Sequence, residues 1–220
     1  MKAFIIGVSG GTGGRVADQL LQRGDAVAGI ARRQEQLGSL AEKGIAASLG
    51  DIVTITERDL ANAMAGSDAV LFSAGAGGRD GDEATSAIDG RGPGKAAAAA
   101  ILAGVKRFYL VSVFPEAWRE RHLGEDFEHY ILEKKNAEAD LVTRDLDWVI
   151  LRPSALLNDP GTGRVDLGYA KIHDEICRDD VATTLVALMD EPRIRRVILE
   201  VTGGATPIPT AVADLAARSD

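Results

Sequence analysis

The chain has 220 residues, room for roughly one to one and a half domains at about 150 residues each. With 45% hydrophobic and 26% charged residues it has the balance of a folded globular protein, which excludes disorder of the whole chain. A net charge of −8 excludes the basic footprint of a nucleic-acid binder, so a phosphate-bearing ligand needs a local positive site.

Apolar, β-rich runs occur at 3–8, 26–31, 45–49, 69–73, 108–113, 148–152 and 197–201. They are nearly continuous in hydrophobicity, as strands covered by helices on both faces must be. Between them the spacing of Val16, Leu20 and Leu21, and of Leu37, Leu40 and Ala41, is helical. Further helices are predicted at 55–65, 94–103, 126–144, 180–190 and 208–217. Alternating strand and helix predict an α/β fold, a doubly wound, mostly parallel Rossmann-like sheet forming a single domain over 1–220. Two stretches break the alternation. Seven of the twenty residues in 75–94 are glycine, which predicts a mobile loop and a candidate lid. The stretch 153–177, with a turn at Asp159-Pro160-Gly161, lacks periodicity and, with 114–125, is expected to lie on the substrate side.

The first strand runs into Gly7-x-x-Gly10-x-x-Gly13 and then a helix. That context makes the glycine pattern a dinucleotide-binding turn. Gly7 permits the tight turn, Gly10 the approach of a pyrophosphate and Gly13 close helix packing, while free N–H groups and the helix dipole attract the anion. Ser9, Gly11 and Thr12 belong to the same cradle. At the end of the second strand, where an NAD site carries an acidic residue, stand Arg32 and Arg33. Guanidinium groups suit a 2′-phosphate, so the expected cofactor is NADP(H); the alternative is that both arginines only solvate the next helix.

Together, GVSGGTG at 7–13, Gly50-Asp51, FSAGAG at 72–77, AGVKRFYLVS at 103–112, YILEK at 130–134, DWVILRPSAL at 147–156 and RDDVA at 178–182 resemble the atypical short-chain dehydrogenase/reductases, often labelled NAD(P)-dependent epimerase-like. The resemblance implies that Asp51 and Ile52 lie by the adenine, Ala74 and Gly75 line the ribose and diphosphate, and Pro153 borders the nicotinamide. The alternative for Asp51 is a helix N-cap.

The catalytic candidates are Ser112, Tyr130 and Lys134. Ser112 ends the fifth strand, and Tyr130 and Lys134 share a helix face at i, i+4. An ammonium beside a phenol favours the phenolate, so Tyr130 is read as the acid/base, Lys134 as its partner and a ribose ligand, and Ser112 as the donor that orients a substrate carbonyl. Asp89 stands where related enzymes carry Asn, and is otherwise readable as a helix cap. His122, His129 and His173 lack metal-ligand spacing, so no metal is expected. Cys177 is single, no run is long enough to span a membrane, and Met1 leads directly into a strand, which together predict a cytoplasmic protein with a small-molecule substrate and neither a nucleic-acid nor a membrane partner. Monomer and homodimer stay open.

Three functions compete. The first is an NADP-dependent oxidoreductase of a small carbonyl or conjugated substrate. The second is a nucleotide-sugar epimerase or dehydratase, weakened because only 68 residues follow Arg152 and enzymes of the extended group devote a larger region to the nucleotide. The third is a non-catalytic sensor of NADP(H).

Overall fold

The computed structural model describes residues 1–77, 81–118 and 121–218. Its strands are β1 (Lys2–Ile6), β2 (Ala26–Ala31), β3 (Ala46–Leu49), β4 (Ala69–Phe72), β5 (Arg107–Val111), β6 (Asp147–Pro153), β7 (Ala155–Leu157), β8 (Arg164–Gly168), β9 (Glu175–Cys177), β10 (Val197–Gly203) and β11 (Thr206–Pro207). The helices are α1 (Gly11–Gln22), α2 (Gln34–Glu42), α3 (Glu57–Met64), α4 (Gly81–Thr85), α5 (Gly92–Leu102), α6 (Glu125–Val142), α7 (Arg178–Met189) and α8 (Ile208–Ala216), with a π-helical turn at Ser86–Arg91 between α4 and α5.

Seven strands run parallel in the order β3, β2, β1, β4, β5, β6, β10, and β8 and β11 extend the sheet antiparallel beyond β10. The expected doubly wound, Rossmann-like α/β fold is present, and every predicted strand and helix has its counterpart within a few residues. Strand residues alternate between two cores. Ala3 and Ile5 face α1, α7 and α8 through Val16, Leu20, Val181, Leu185 and Leu215. Phe4 and Ile6 face α3, α5 and α6 through Leu60, Met64, Ala96, Ala100 and Leu141. Burial on both faces is why these runs read as continuously apolar.

The order reverses at β1 and β4, and the parallel strands all deliver their C-terminal ends to one edge, where ligands bind in open α/β sheets. The stretch 153–177, left without elements by the sequence, contains β8 and a separate parallel pair, β7 with β9.

The mobile-loop expectation for 75–94 is corrected. Residues 81–94 are helical, and residues 78–80 lie outside the described residues. Three glycines of the stretch 75–94 serve contact rather than freedom: a Cβ on Gly92 would lie 2.9 Å from Cζ of buried Phe72, one on Gly94 2.6 Å from Asp140 Oδ2, and one on Gly75 3.0 Å from Asp89 Oδ1. Only Gly77 and Gly81 in this stretch have positive φ among the described residues. Gly92→Ala is therefore expected to lose about 1–3 kcal/mol by overpacking against Phe72 and Ile52, read as a lower midpoint in urea unfolding; an unchanged midpoint would return the segment to a loosely packed one.

Candidate active site at the C-terminal sheet edge

β1 ends one residue before Gly7, whose φ is +92°. A Cβ there would lie 2.7 Å from the backbone nitrogen of Ala74, and a Cβ on Gly13 would lie 2.4 Å from the Gly7 carbonyl oxygen. These contacts draw the start of α1 tightly against the ends of β1 and β4. Gly10 N–H donates to the Gly7 carbonyl at 2.8 Å, and Ser9, Gly10 and Gly11 remain exposed while Thr12 is buried. The result is an open cradle of backbone at a helix N-terminus, whose shape side chains would fill; it fits a dinucleotide diphosphate.

Around the cradle, Gln36 of α2 donates from Nε2 to Ser9 Oγ at 3.1 Å. Arg32 is exposed and has no hydrogen-bond or ion-pair partner among the described residues, whereas Arg33 pairs with Glu35 at 3.2 Å and stands at the N-cap position of α2, its backbone N–H donating to Gln36 Oε1 at 3.2 Å. Asp51 does not cap α3, whose N-cap is Thr56; its Oδ1 accepts from the Val53 N–H at 2.9 Å and holds a tight turn. Lys95 Nζ fastens the same turn by donating to the carbonyls of Ile52 and Val53 at 2.9 and 2.7 Å. Ala74 is half-buried, Gly75 exposed, and Pro153 buried at the end of β6.

Ser112, Tyr130 and Lys134 come to this edge on β5 and α6, but their bonds differ from the expected ones. Ser112 Oγ donates to Glu138 Oε1 at 2.5 Å, so its proton is committed and the expected donation to a substrate carbonyl is not available in this arrangement. Glu138 is itself held by Arg152, whose Nε lies 3.0 Å from Oε1 and whose second nitrogen meets Oε2 at 2.5 Å. Lys134 Nζ lies 5.6 Å from the Tyr130 ring centroid, 3.0 Å from Asp89 Oδ1 and 3.4 Å from the Val111 carbonyl. Its separation from Oδ1 is that of an ion pair, without the alignment of a hydrogen bond. Burial pulls the lysine pKa down, but Tyr130, Asp89 and Glu138 outweigh it and hold it above the usual lysine value.

Asp89 is 1% exposed and sits on the π-helical turn, where its Oδ2 accepts from the Ala76 N–H at 2.9 Å. It is not a helix cap. The extra residue of a π turn re-aims a side chain, which here points the carboxylate at Lys134. Sequence reasoning missed Glu138 and Arg152, although Tyr130, Lys134 and Glu138 repeat at i, i+4, i+8 and so share one helix face. Beyond them, His173 packs edge-on against Phe114 and Trp118 with centroids 5.0 and 4.3 Å apart, and Arg121 covers Trp118 at 4.0 Å. No group of three or more His, Cys, Asp or Glu side chains that suits a metal occurs among the described residues. A cavity of about 410 Å³ beside Arg195, Arg196 and Tyr169 opens at the start of β10, the sheet edge opposite the glycine turn, and its Arg195 and Arg196 are paired with Asp147 and Asp145.

A sequence model of an NAD(P)H-binding family matches residues 7–192, from the first glycine of the turn to the end of α7 and the residues just beyond it. The chain belongs to this family. It is 36% identical over 216 residues to an uncharacterized sugar epimerase of Bacillus subtilis, covering 98% of this chain and 100% of the relative. Among solved structures it resembles a Bacillus halodurans protein provisionally named an NAD-dependent epimerase/dehydratase, with 30% identity, TM-score 0.87 and coverage of 97% and 99%. It also resembles an oxidoreductase of Lactococcus lactis, with 27% identity, TM-score 0.83 and coverage of 98% and 96%. The family is the atypical short-chain dehydrogenase/reductase group that the motifs resemble. No described helix is long and apolar enough to cross a membrane.

The buried Lys134–Asp89 pair makes a stability prediction. Lys134→Met leaves a carboxylate buried without its counter-charge and is expected to cost about 3–5 kcal/mol at neutral pH, with Lys134→Met/Asp89→Asn recovering most of it. The lysine pKa is raised on folding, so its contribution is complete below the ordinary value of 10.5 and is lost as pH rises through the higher folded value. On the alkaline side, the gap between wild type and Lys134→Met in denaturant midpoints should therefore persist up to pH 10.5 and narrow only above it; a gap already absent between neutral pH and pH 10.5 would contradict the pairing.

Proposed function

We propose that the protein is an NADP-dependent oxidoreductase acting on a small carbonyl or conjugated substrate. The observation that carries this reading is Tyr130 beside a buried, charge-paired Lys134 at the same sheet edge as the glycine cradle. The bound dinucleotide supplies or accepts the hydride. Tyr130 gives its phenolic proton to the substrate oxygen as negative charge develops there. Lys134 sets a positive charge 5.6 Å from the tyrosine ring and offers compensation to the phenolate left behind. Asp89 and the Val111 carbonyl hold that ammonium, so its position is set before substrate arrives. Ser112 has a different part from the expected one: through Glu138 and Arg152 it ties the end of β5 to α6 and β6. Phe114, Trp118 and His173 supply an aromatic wall suited to a flat substrate.

Arg32 supports NADP(H) over NAD(H), since it is exposed at the end of β2 with no acidic partner among the described residues. NADPH is expected to bind about tenfold or more tightly than NADH, and Arg32→Ala should remove that preference while leaving NADH nearly unchanged. Fluorescence titration with both cofactors decides it, and equal affinities for wild type would overturn the assignment.

Tyr130→Phe is expected to lower kcat by about 10²–10⁴ with NADPH affinity close to wild type, measured on a carbonyl, quinone or conjugated substrate that wild type turns over. Undiminished turnover by this variant would assign protonation to water instead.

The second reading, epimerisation of a sugar or nucleotide sugar, is favoured by the name of the Bacillus subtilis relative. The two part experimentally, because an epimerase returns its hydride to the substrate and a reductase consumes NADPH. Net oxidation of NADPH with a carbonyl supports the first reading; isomerisation of a nucleotide sugar without net oxidation supports the second. Cofactor binding without either reaction across such a panel would favour a sensor of NADP(H).

A further inference from the structure

α1 and α7 lie side by side and in register. Arg15 Nε pairs with Asp179 Oδ1 at 2.5 Å, and one turn further Gln19 Nε2 donates to Thr183 Oγ1 at 3.0 Å. Both helices therefore begin at the same sheet edge, and the first residue of α7, Arg178, lies over the first residue of α1, Gly11. A Cβ built on Gly11 would stand 3.0 Å from Arg178 Nε and 3.1 Å from its Cδ, so glycine is what lets the arginine lie across the turn.

The guanidinium is fixed there by neutral groups. Its Nη1 donates to Asn158 Oδ1 at 2.9 Å and to the Leu156 carbonyl at 3.3 Å. No carboxylate pairs with it among the described residues, although acids follow it directly in the chain. Asp179 is taken by Arg15, and Asp180 accepts from the N–H groups of Thr162 and Gly163 at 2.9 and 2.8 Å. A half-buried cation without counter-charge thus lies beside the exposed backbone of Gly10 and Gly11. In a chain of net charge −8, this is a charge held ready for an anion.

We infer that Arg178 binds the cofactor diphosphate, adding a charge-assisted guanidinium contact to the backbone donors at the start of α1. The inference rests on the dinucleotide reading of the glycine turn and deepens it. It divides the anion recognition in two. Arg32 reads the 2′-phosphate, which only NADP(H) carries, and Arg178 reads the diphosphate, which NADP(H), NAD(H) and ADP share. It also gives α7 a part in cofactor binding, since the α1–α7 packing sets where the arginine falls.

The test is equilibrium titration of the full chain with NADPH, NADH and ADP, for wild type, Arg178→Gln, Arg178→Lys and Asn158→Ala. Arg178→Gln is expected to raise Kd about tenfold or more for all three nucleotides by a similar factor and to flatten the salt dependence of binding, with Arg178→Lys recovering part of the loss. Asn158→Ala, which removes the tether and keeps the cation, should weaken binding less. Wild-type affinities in Arg178→Gln would overturn the inference while leaving the dinucleotide reading intact. A loss in Asn158→Ala as large as in Arg178→Gln would also overturn it, assigning Arg178 to the packing of 156–158. Failure of wild type to bind any of the three nucleotides would overturn the inference and the dinucleotide reading together.

Discussion

The contact on which the rest of the structure depends is the approach of α1 to the end of β1, where the position of a Cβ on Gly13 falls 2.4 Å from the Gly7 carbonyl oxygen. No side chain fits between these backbones, so helix and strand meet at a separation only glycine permits. The helix N-terminus is thereby brought to the sheet edge with its N–H groups open. The same approach sets where α7 packs, because Arg15 and Gln19 of α1 meet Asp179 and Thr183, and through α7 it sets where Arg178 lies.

A second framework stands on α6. One face of this helix carries Tyr130, Lys134 and Glu138, and each of the two charged members is neutralised from a different element: Asp89 from the π-helical turn, Arg152 from β6. Buried charges in low dielectric are tolerated only when so paired, and removing one partner leaves the other exposed to the full desolvation cost. The pairs therefore pin α6 against the ends of β5 and β6 and hold Lys134 beside the Tyr130 ring. Asp89 makes this corner an ion pair, with the lysine tied to a carboxylate as well as to the Val111 carbonyl.

Much of the fold was legible because local rules and tertiary packing agree. Runs such as Ala26–Ala31 and Ala69–Phe72 are apolar on both sides, and two-sided burial in a parallel sheet is the condition that makes them so. The glycine turn was legible because part of what its glycines answer is local, the positive φ of Gly7 and the approach of Gly10 and Gly13 to the Gly7 carbonyl, although Gly7 also meets the distant backbone of Ser73 and Ala74. Residues 81–94 were misread for the converse reason. Their glycines answer requirements from distant parts of the chain, Phe72 for Gly92 and Asp140 for Gly94, and a glycine that admits a neighbour has the same letter as one that frees a loop. The partner of Ser112 was illegible for a similar reason, since its hydroxyl reaches the edge but donates to Glu138, 26 residues on.

By itself, then, the sequence determined the α/β class, the edge at which a dinucleotide fits, the candidacy of Tyr130 and Lys134, and the resemblance that the family match bears out. These follow from periodicity and short spacing, which are local. Only the tertiary structure decided which partner each of these polar groups takes: Asp89 for Lys134, Glu138 for Ser112 and no acid for Arg32 or Arg178 among the described residues. A charge or a hydroxyl takes whichever partner the packing of helices across the sheet brings within about 3 Å, and no spacing along the chain encodes that distance.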